Sequence, residues 1–324
     1  MTGVVSRSDG LTYRPVRPDE LSACVEIWRE SINDYIGRLG QPEIASETSP
    51  LLRLYAHLST TDPDRFVVAT QVAARTGEER IVGFASALVR ERLWFLSMLF
   101  VSPHVQAAGV GRALLARVMP EPATGMSMAT ATDSAQPISN ALYSSYGIVP
   151  RIPLLNLIGR PERAEAFEPL PSGVTPVPFE SIAGGPPGGP GHQELAEAVD
   201  GLDRELLGVA HPIDHRYLRA ESRRGWLYRG PDGAPVGYGY ATEAGRVGPV
   251  AVRDADLMVA VLGHLTSVVE PRGAFALWLP GNADRAIVAS LRAGFRLDQF
   301  PVLLCWDRPF ADFARYLPIS PGLL

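Results

Sequence analysis

Apolar residues along this chain fall into two textures: short unbroken runs, and stripes recurring every three or four positions. A nearly unbroken run spans Leu93 to Val101, LWFLSMLFV. Its length and aromatic content suit a strand buried on both faces. Ser102-Pro103 breaks it, and a helix follows with Leu114, Leu115 and Val118 on one side and Pro120 as its stop. Upstream, the pattern predicts a strand over 12–16 and a helix from Pro18-Asp19 carrying Leu21, Cys24, Val25, Ile27 and Trp28 on one stripe. A polar, interrupted segment over 31–50, a second helix over 51–58, and strands over 66–72 and 81–89 joined by a turn at 75–78 come next. Downstream lie a strand over 126–132, a helix between Pro137 and Gly147, and closing strands over 149–158.

From residue 159 the texture changes. A charged and proline-containing stretch leads to GGPPGGPGH, a run unsuited to a compact core. Beyond it the first pattern replays in outline. Val174-Thr-Pro-Val-Pro echoes the opening strand, and a helix over 194–206 follows. Strands are expected over 226–229, 236–242 and 246–252, then a helix over 255–269. A strand over 274–279, a helix over 283–293 and a last strand over 302–307 complete the pattern. The chain thus divides into a first domain over 1–160, a linker over 161–173, and a second domain over 174–324 with a flexible Pro/Gly loop at 184–191.

Length and charge narrow the function classes. A chain of 324 residues holds two ordinary domains, and a net charge of -5 offers no basic footprint for nucleic acid. Cys24 and Cys305, far apart in sequence, make no disulfide framework and point to a reducing compartment. With no signal-like N-terminus and no apolar run of membrane length, the expectation is a cytoplasmic protein that binds no membrane. All of the Lys+Arg 30 are arginines, which excludes a lysine base, a Schiff base and the phosphate loop that needs lysine.

The chemistry concentrates after the buried run, at Gln106-Ala107-Ala108-Gly109-Val110-Gly111-Arg112. Two glycines at the opening of a helix let the backbone turn several N–H groups toward one anion at the positive end of the helix dipole. A dinucleotide fingerprint wants a third glycine where Leu114 stands, although Asp133 remains available as a ribose-binding acid. The Q-x-x-G-x-G spacing, with LFVSPHVQAAGVGRALL and the downstream SNALYSSYGIVPR in order, resembles the GNAT (GCN5-related) N-acetyltransferase superfamily. The resemblance covers residues 11–158 and implies an α/β (α+β) fold. Each of two tandem domains would be a mixed, mainly antiparallel sheet flanked by helices.

It also implies roles. The loop from Gln106 to Arg112 would hold the pyrophosphate of acetyl-CoA as co-substrate, while Leu99, Phe100 and Val101 bind the pantetheine arm and polarise the thioester carbonyl. Asn140 joins that site, and Tyr143, four residues before Gly147, is the acid that protonates the leaving thiolate. A neutral amine of a small molecule or peptide would attack the thioester directly. Asp34, Tyr35 and Glu43 are candidates on the acceptor side. Where some relatives carry a glutamate base on the central strand, Ser97 stands here. Glu91 and His104 are weaker candidates.

The second half resembles the degenerate C-terminal domains of tandem bacterial acetyltransferases. Asp254-Ala-Asp256 replaces the glycine cradle and would repel a pyrophosphate, Ser290 stands in the place of Tyr143, and exposed aromatics such as Tyr238 or Tyr240 are candidates to line the acceptor wall. Two alternatives stay open: a tandem enzyme resembling mycothiol synthase, and a CoA-binding sensor without turnover. His211-x-x-x-His215 includes Pro212 and lacks the acidic partner of a zinc helix, so no metal is expected. Nothing in the sequence sets the oligomeric state; a homo-oligomer stays open.

Overall fold

The computed structural model describes residues 10–44, 46–72, 77–105, 109–121, 125–184, 188–298 and 300–324. The fold comprises two compact units, one within Met1–Val89 and Trp94–Met128, the other formed by Arg90–Leu93 and Ala129–Leu324. Both are α/β, with mainly antiparallel sheets flanked by helices.

In the first unit the sheet order is β1 (Leu11–Pro15), β2 (Phe66–Val72), β3 (Glu79–Arg90), β4 (Leu93–Val101). β1 and β3 both run antiparallel to β2. Helices α1 (Leu21–Arg38), α2 (Ser49–Thr61) and α3 (Val110–Val118) cover it. Tyr55 from α2 meets Phe66 and Phe84 edge-on, with ring centroids 5.6 and 5.3 Å apart, and these three rings form the centre of the core. Leu114, Leu115 and Val118 of α3 are buried, each stabilising the fold by roughly 1.5–3 kcal/mol. The Trp94 indole N–H donates to the Val118 carbonyl at 2.7 Å, which ties the end of α3 to the root of β4.

The helix α1 runs further than the apolar stripe indicates. It continues to Arg38 because Ile36 is buried and Arg38 pairs with Asp34 one turn back, so Asp34 and Tyr35 sit on a helix rather than in an open loop.

The second unit holds the strand order β5 (Ser127–Asp133, from Ala129 onward), β13 (Val302–Trp306), β6 (Val149–Gly159), β11 (Phe275–Pro280), β10 (Arg246–Val252), β9 (Pro235–Ala241), β8 (Arg224–Arg229), β7 (Thr175–Pro178). β12 (Arg296–Leu297) pairs with β6, and β14 (Tyr316–Leu317) pairs with β10. The helices here are α4 (Pro137–Ser144), α5 (Phe179–Ile182), α6 (Pro190–Leu206), α7 (Pro212–Ala220), α8 (Leu257–Val268) and α9 (Asp284–Ala293). Helix α8 is apolar nearly all round, and its buried residues join Val250, Val252, Leu277 and Phe295 in one core.

These units divide the chain at other positions than residue 160. β6 is one continuous strand where a pair of closing strands was expected. It lies between β11, in register from Phe275↔Gly159 to Pro280↔Leu154, and β13, which in turn pairs with β5. Strands from both halves of the sequence therefore interleave in this sheet. The linker stretch 161–173 is packed in part: Phe167 is buried, 6.3 Å from the Phe295 ring. Of the Pro/Gly run, residues 185–187 lie outside the described residues, while Pro190 forms the first position of α6. Tyr238 and Tyr240, expected at the surface, are fully buried, because each hydroxyl finds a buried partner in this unit.

Candidate functional site: the β4–α3 junction and helix α4

The strand β4 is buried from Leu93 to Ser97 and half-buried from Met98 to Val101, where it leaves the core. Leu99, Phe100 and Val101 therefore lie on the emerging end. The Phe100 ring sits 5.8 Å from Phe84, and the Ser31 hydroxyl of α1 donates to the Val101 carbonyl at 3.0 Å. The Ser102 N–H bonds to Val82 O at 2.8 Å, which holds the strand end against β3.

The junction then turns into α3. Gly109 caps this helix in the left-handed region, at φ 76°, where a side chain is strained. A Cβ there would meet nothing within 4 Å among the described residues. The Ala113 N–H makes its bond to the Gly109 carbonyl at 3.0 Å. The N–H groups of Val110 and Gly111 thus precede the helical ladder, and Arg112 lies in the same first turn. A helix N-terminus of this kind attracts an anion. Gln106, Ala107 and Ala108, the opening of the expected cradle, lie outside the described residues. The sheet around the junction is antiparallel at β1, β2 and β3, unlike the parallel βαβ unit that a dinucleotide fold requires.

Ser97, in the place of a strand carboxylate, is buried. His104 is exposed and pairs with Glu30 at 3.2 Å. Glu91 occupies the β3–β4 turn with a positive φ of 46° and pairs with Arg204 at 2.9 Å. Glu43 is exposed. Cys24 lies in the first unit's core, where burial pushes its thiol up to about 12, as expected of a packing residue. Cys305 is likewise a free, buried thiol.

In the second unit, Asn140 and Tyr143 sit one turn apart on α4. The Asn140 amide donates to the carbonyls of Asp133 at 2.9 Å and Gln136 at 2.8 Å, fastening the helix start to the end of β5. Its own Oδ1 is buried and has no hydrogen-bond partner, leaving an acceptor for a donor brought in by a ligand. Tyr143 is 5% exposed. Burial pushes its phenol well above the ordinary value, opposed by a hydrogen bond with Ser139, so it is protonated throughout the neutral range. Burial likewise raises the Asp133 carboxyl to about 6.

The corresponding junction in the second half, β10 into α8, is built differently. Asp254 Oδ1 accepts the Asp256 N–H at 2.9 Å, and Asp256 pairs with Arg285. Carboxylates thus occupy the helix start. β10 pairs with parallel β11 at Arg246 and Val247, whereas Val250 and Ala251 pair with β14 from the chain's own C-terminal segment. Ser290, in the place of Tyr143, is fully buried with its hydroxyl unpartnered. Around His211 and His215 the fold supplies an acid that the sequence spacing conceals. Asp203 of α6 lies 2.8 Å from His215 and 3.2 Å from His211.

Residues 63–150 match the family model described as Acetyltransferase (GNAT) domain. No curated protein matches the chain by sequence. Among solved structures, a proposed acetyltransferase from Pyrococcus horikoshii superposes with TM-score 0.71 at 12% identity, covering 100% of this chain and 99% of its own. A GCN5-related N-acetyltransferase from Sphaerobacter thermophilus gives TM-score 0.58 at 17% identity, over 95% of this chain and 99% of its own. A tandem GNAT protein of the clavulanic acid biosynthesis pathway gives TM-score 0.49 at 15% identity, over 92% and 99%. The first two likenesses concern the fold. Among the described residues no helix is long and apolar enough to cross a membrane.

Proposed function

We propose that this member of the GNAT acyltransferase family moves an acetyl group from acetyl-CoA to the amine of a small molecule or peptide by direct attack. The observation that carries the reading is the β4–α3 junction. A left-handed glycine opens α3, with the N–H groups of Val110 and Gly111 ahead of the ladder, where they suit a pyrophosphate. Gln106, Ala107, Ala108, Gly109, Val110, Gly111 and Arg112 form the cradle in this reading. Leu99, Phe100 and Val101 give the pantetheine arm a strand end, and in the second unit Asn140 has a buried Oδ1 with no hydrogen-bond partner among the described residues.

In the reaction, the amine nitrogen bonds to the thioester carbon, the C–S bond breaks, and the thiolate takes the Tyr143 phenol proton. The attacking nitrogen gives up its extra proton to water as the neutral amide forms, and the Tyr143 phenolate regains a proton from solvent. Burial of Tyr143 keeps that proton in place until a thiolate develops, and makes the transfer more uphill than from a solvated phenol. Ser97 offers a hydroxyl to a water where a carboxylate base would stand. Two buried free thiols suit a reducing, cytoplasmic setting.

The second half is read as a degenerate GNAT-like repeat that binds no CoA. Carboxylates hold the start of α8, and β14 pairs with β10 beyond the point where β10 and β11 are joined. Calorimetry of CoA binding and a thiol-release assay over a panel of amines test both claims. One CoA per chain and amine-dependent thiol release are expected. Two CoA per chain would overturn the division of labour. Binding without release toward any amine would favour the sensor reading, to which the absent strand carboxylate at Ser97 lends its weight.

A further inference from the structure

The second unit encloses a polar cluster that the acetyl transfer does not use. Asp203 comes from α6, His211 caps the start of α7, and His215 follows one turn later. Hydrophobic patterning places none of them in a core, yet they are 0%, 2% and 2% exposed. Their ligand atoms converge. Asp203 Oδ2 lies 2.8 Å from His215 Nε2 and 3.2 Å from His211 Nε2, and all three atoms fall within 4.8 Å of one another.

We propose that Asp203, His211 and His215 bind one divalent transition metal of the zinc class, through Asp203 Oδ2 and the two Nε2 atoms. The outward-facing atoms support this. His215 Nδ1 lies 3.0 Å from the Tyr240 hydroxyl, and His211 Nδ1 lies 3.6 Å from Asp214 Oδ2. The Tyr238 hydroxyl donates to Asp203 Oδ1 at 2.5 Å. Asp214 is itself clamped by Arg90, Nε to Oδ2 at 2.6 Å and the second nitrogen to Oδ1 at 2.8 Å. His215 and Asp203 therefore each have an outer hydrogen-bond partner that leaves Nε2 or Oδ2 facing inward, as metal ligands are held, and His211 has the Asp214 carboxylate beside its outer nitrogen.

Size and charge agree. Tetrahedral ligands on bonds of about 2.0–2.1 Å stand roughly 3.3 Å from one another, close to the 2.8 and 3.2 Å that separate Asp203 Oδ2 from the two Nε2 atoms. Two imidazoles and one carboxylate suit zinc, whereas calcium and magnesium take more oxygens. Arg90 is matched by Asp214, so the positive charge facing the buried Asp203 carboxylate comes from the histidine pair or from an ion held between them. The Tyr316 hydroxyl lies 3.4 Å from His211 Nε2. Burial of every ligand assigns the ion a structural role, closed to substrate.

The test uses the full-length protein, stripped with a chelator and returned to zinc or cobalt. About one equivalent of zinc per chain, intense tetrahedral cobalt bands, and a melting temperature raised by several degrees are expected. His215→Gln and Asp203→Asn should lose the bands and the thermal response, whereas His104→Gln, an exposed histidine, should keep both. If a variant fails to fold, the stripped parent alone decides. No stoichiometric zinc, no cobalt bands and an unchanged melting temperature would mean that a proton on the histidine pair neutralises Asp203, and would overturn the proposal.

Discussion

The β4–α3 and β10–α8 junctions begin alike, with a buried strand running into a helix, and finish with opposite surfaces. In the first, a left-handed Gly109 opens the helix and the N–H groups of Val110 and Gly111 precede its ladder. In the second, Asp254 Oδ1 takes the Asp256 N–H at the helix start, Arg285 pairs with Asp256, and β14 lies along β10. The helices differ accordingly. α3 buries one stripe, while α8 is buried from Leu257 through Leu262 and serves as a core element.

The sharpest way to break this contrast is to exchange its chemistry. Gly111→Glu fills the first junction and adds a like charge, so CoA affinity measured by calorimetry should fall by at least about 10²-fold. The converse double variant, Asp254→Gly with Asp256→Gly, should gain no second CoA, because β14 still pairs with β10. A second site in that variant would mean that the two carboxylates alone had closed the junction.

The next contrast is Tyr143 against Ser290. Tyr143→Phe should lower turnover by roughly 10²-fold and leave CoA affinity within a few-fold, as for loss of a general acid. Ser290→Ala removes a buried hydroxyl that has no partner, and should leave turnover unchanged and stability equal or slightly higher. Parental turnover in the phenylalanine variant would reduce Tyr143 to a packing residue.

A smaller effect separates two strand glycines. A Cβ on Gly83 would approach the Phe100 carbonyl at 2.9 Å and Val101 Cα at 3.3 Å, which are backbone atoms at the strand end that carries the site. On Gly239 it would meet the Leu265 methyl Cδ1 at 2.7 Å, the far end of a flexible side chain rather than backbone. Gly83→Ala should therefore cost about 1–3 kcal/mol in denaturant melts and raise the KM for acetyl-CoA, while Gly239→Ala should cost less than about 1 kcal/mol. Equal losses would show that the two helices press on their sheets alike.

What the sequence discloses follows the same physics. β2 and β4 are legible at their true bounds because apolar residues dominate both, interrupted only at Thr70 and Gln71 in β2 and at Ser97 in β4. The glycines of the first junction are legible because two of them stand at the opening of a helix directly after a buried strand. Helix α7 is not, since its buried residues are Asp214, His215 and Leu218, and the first two enter the interior through polar partners rather than an apolar stripe. Tyr238 and Tyr240 mislead for the same reason. The interleaving of β6 and β13 escapes as well, because each reads as an ordinary strand and pairing across more than a hundred residues leaves no local mark.

The smallest contrast lies at the entrance of each half, Glu20 against Glu180. After β1, Glu20 accepts from Arg14 at 2.8 and 2.7 Å and from Arg17, and the Arg14 hydrogen bond is the main reason its carboxyl sits at about 2. After β7, Glu180 is exposed in a short helix. Because the folded carboxyl of Glu20 is held below its ordinary 4.5, the unfolded chain binds the proton first as pH falls. Its contribution is complete above pH 4.5 and is lost as pH drops through about 2. Arg17 is 57% exposed, so solvent screening limits the contribution to the order of 1 kcal/mol. Glu20→Gln should thus lower the melting temperature by a few degrees near neutral pH, with the gap from the parent closing toward pH 2, whereas Glu180→Gln should match the parent throughout. A Glu20→Gln deficit that stayed constant into acid would assign the loss to packing around Arg14 rather than to the charge.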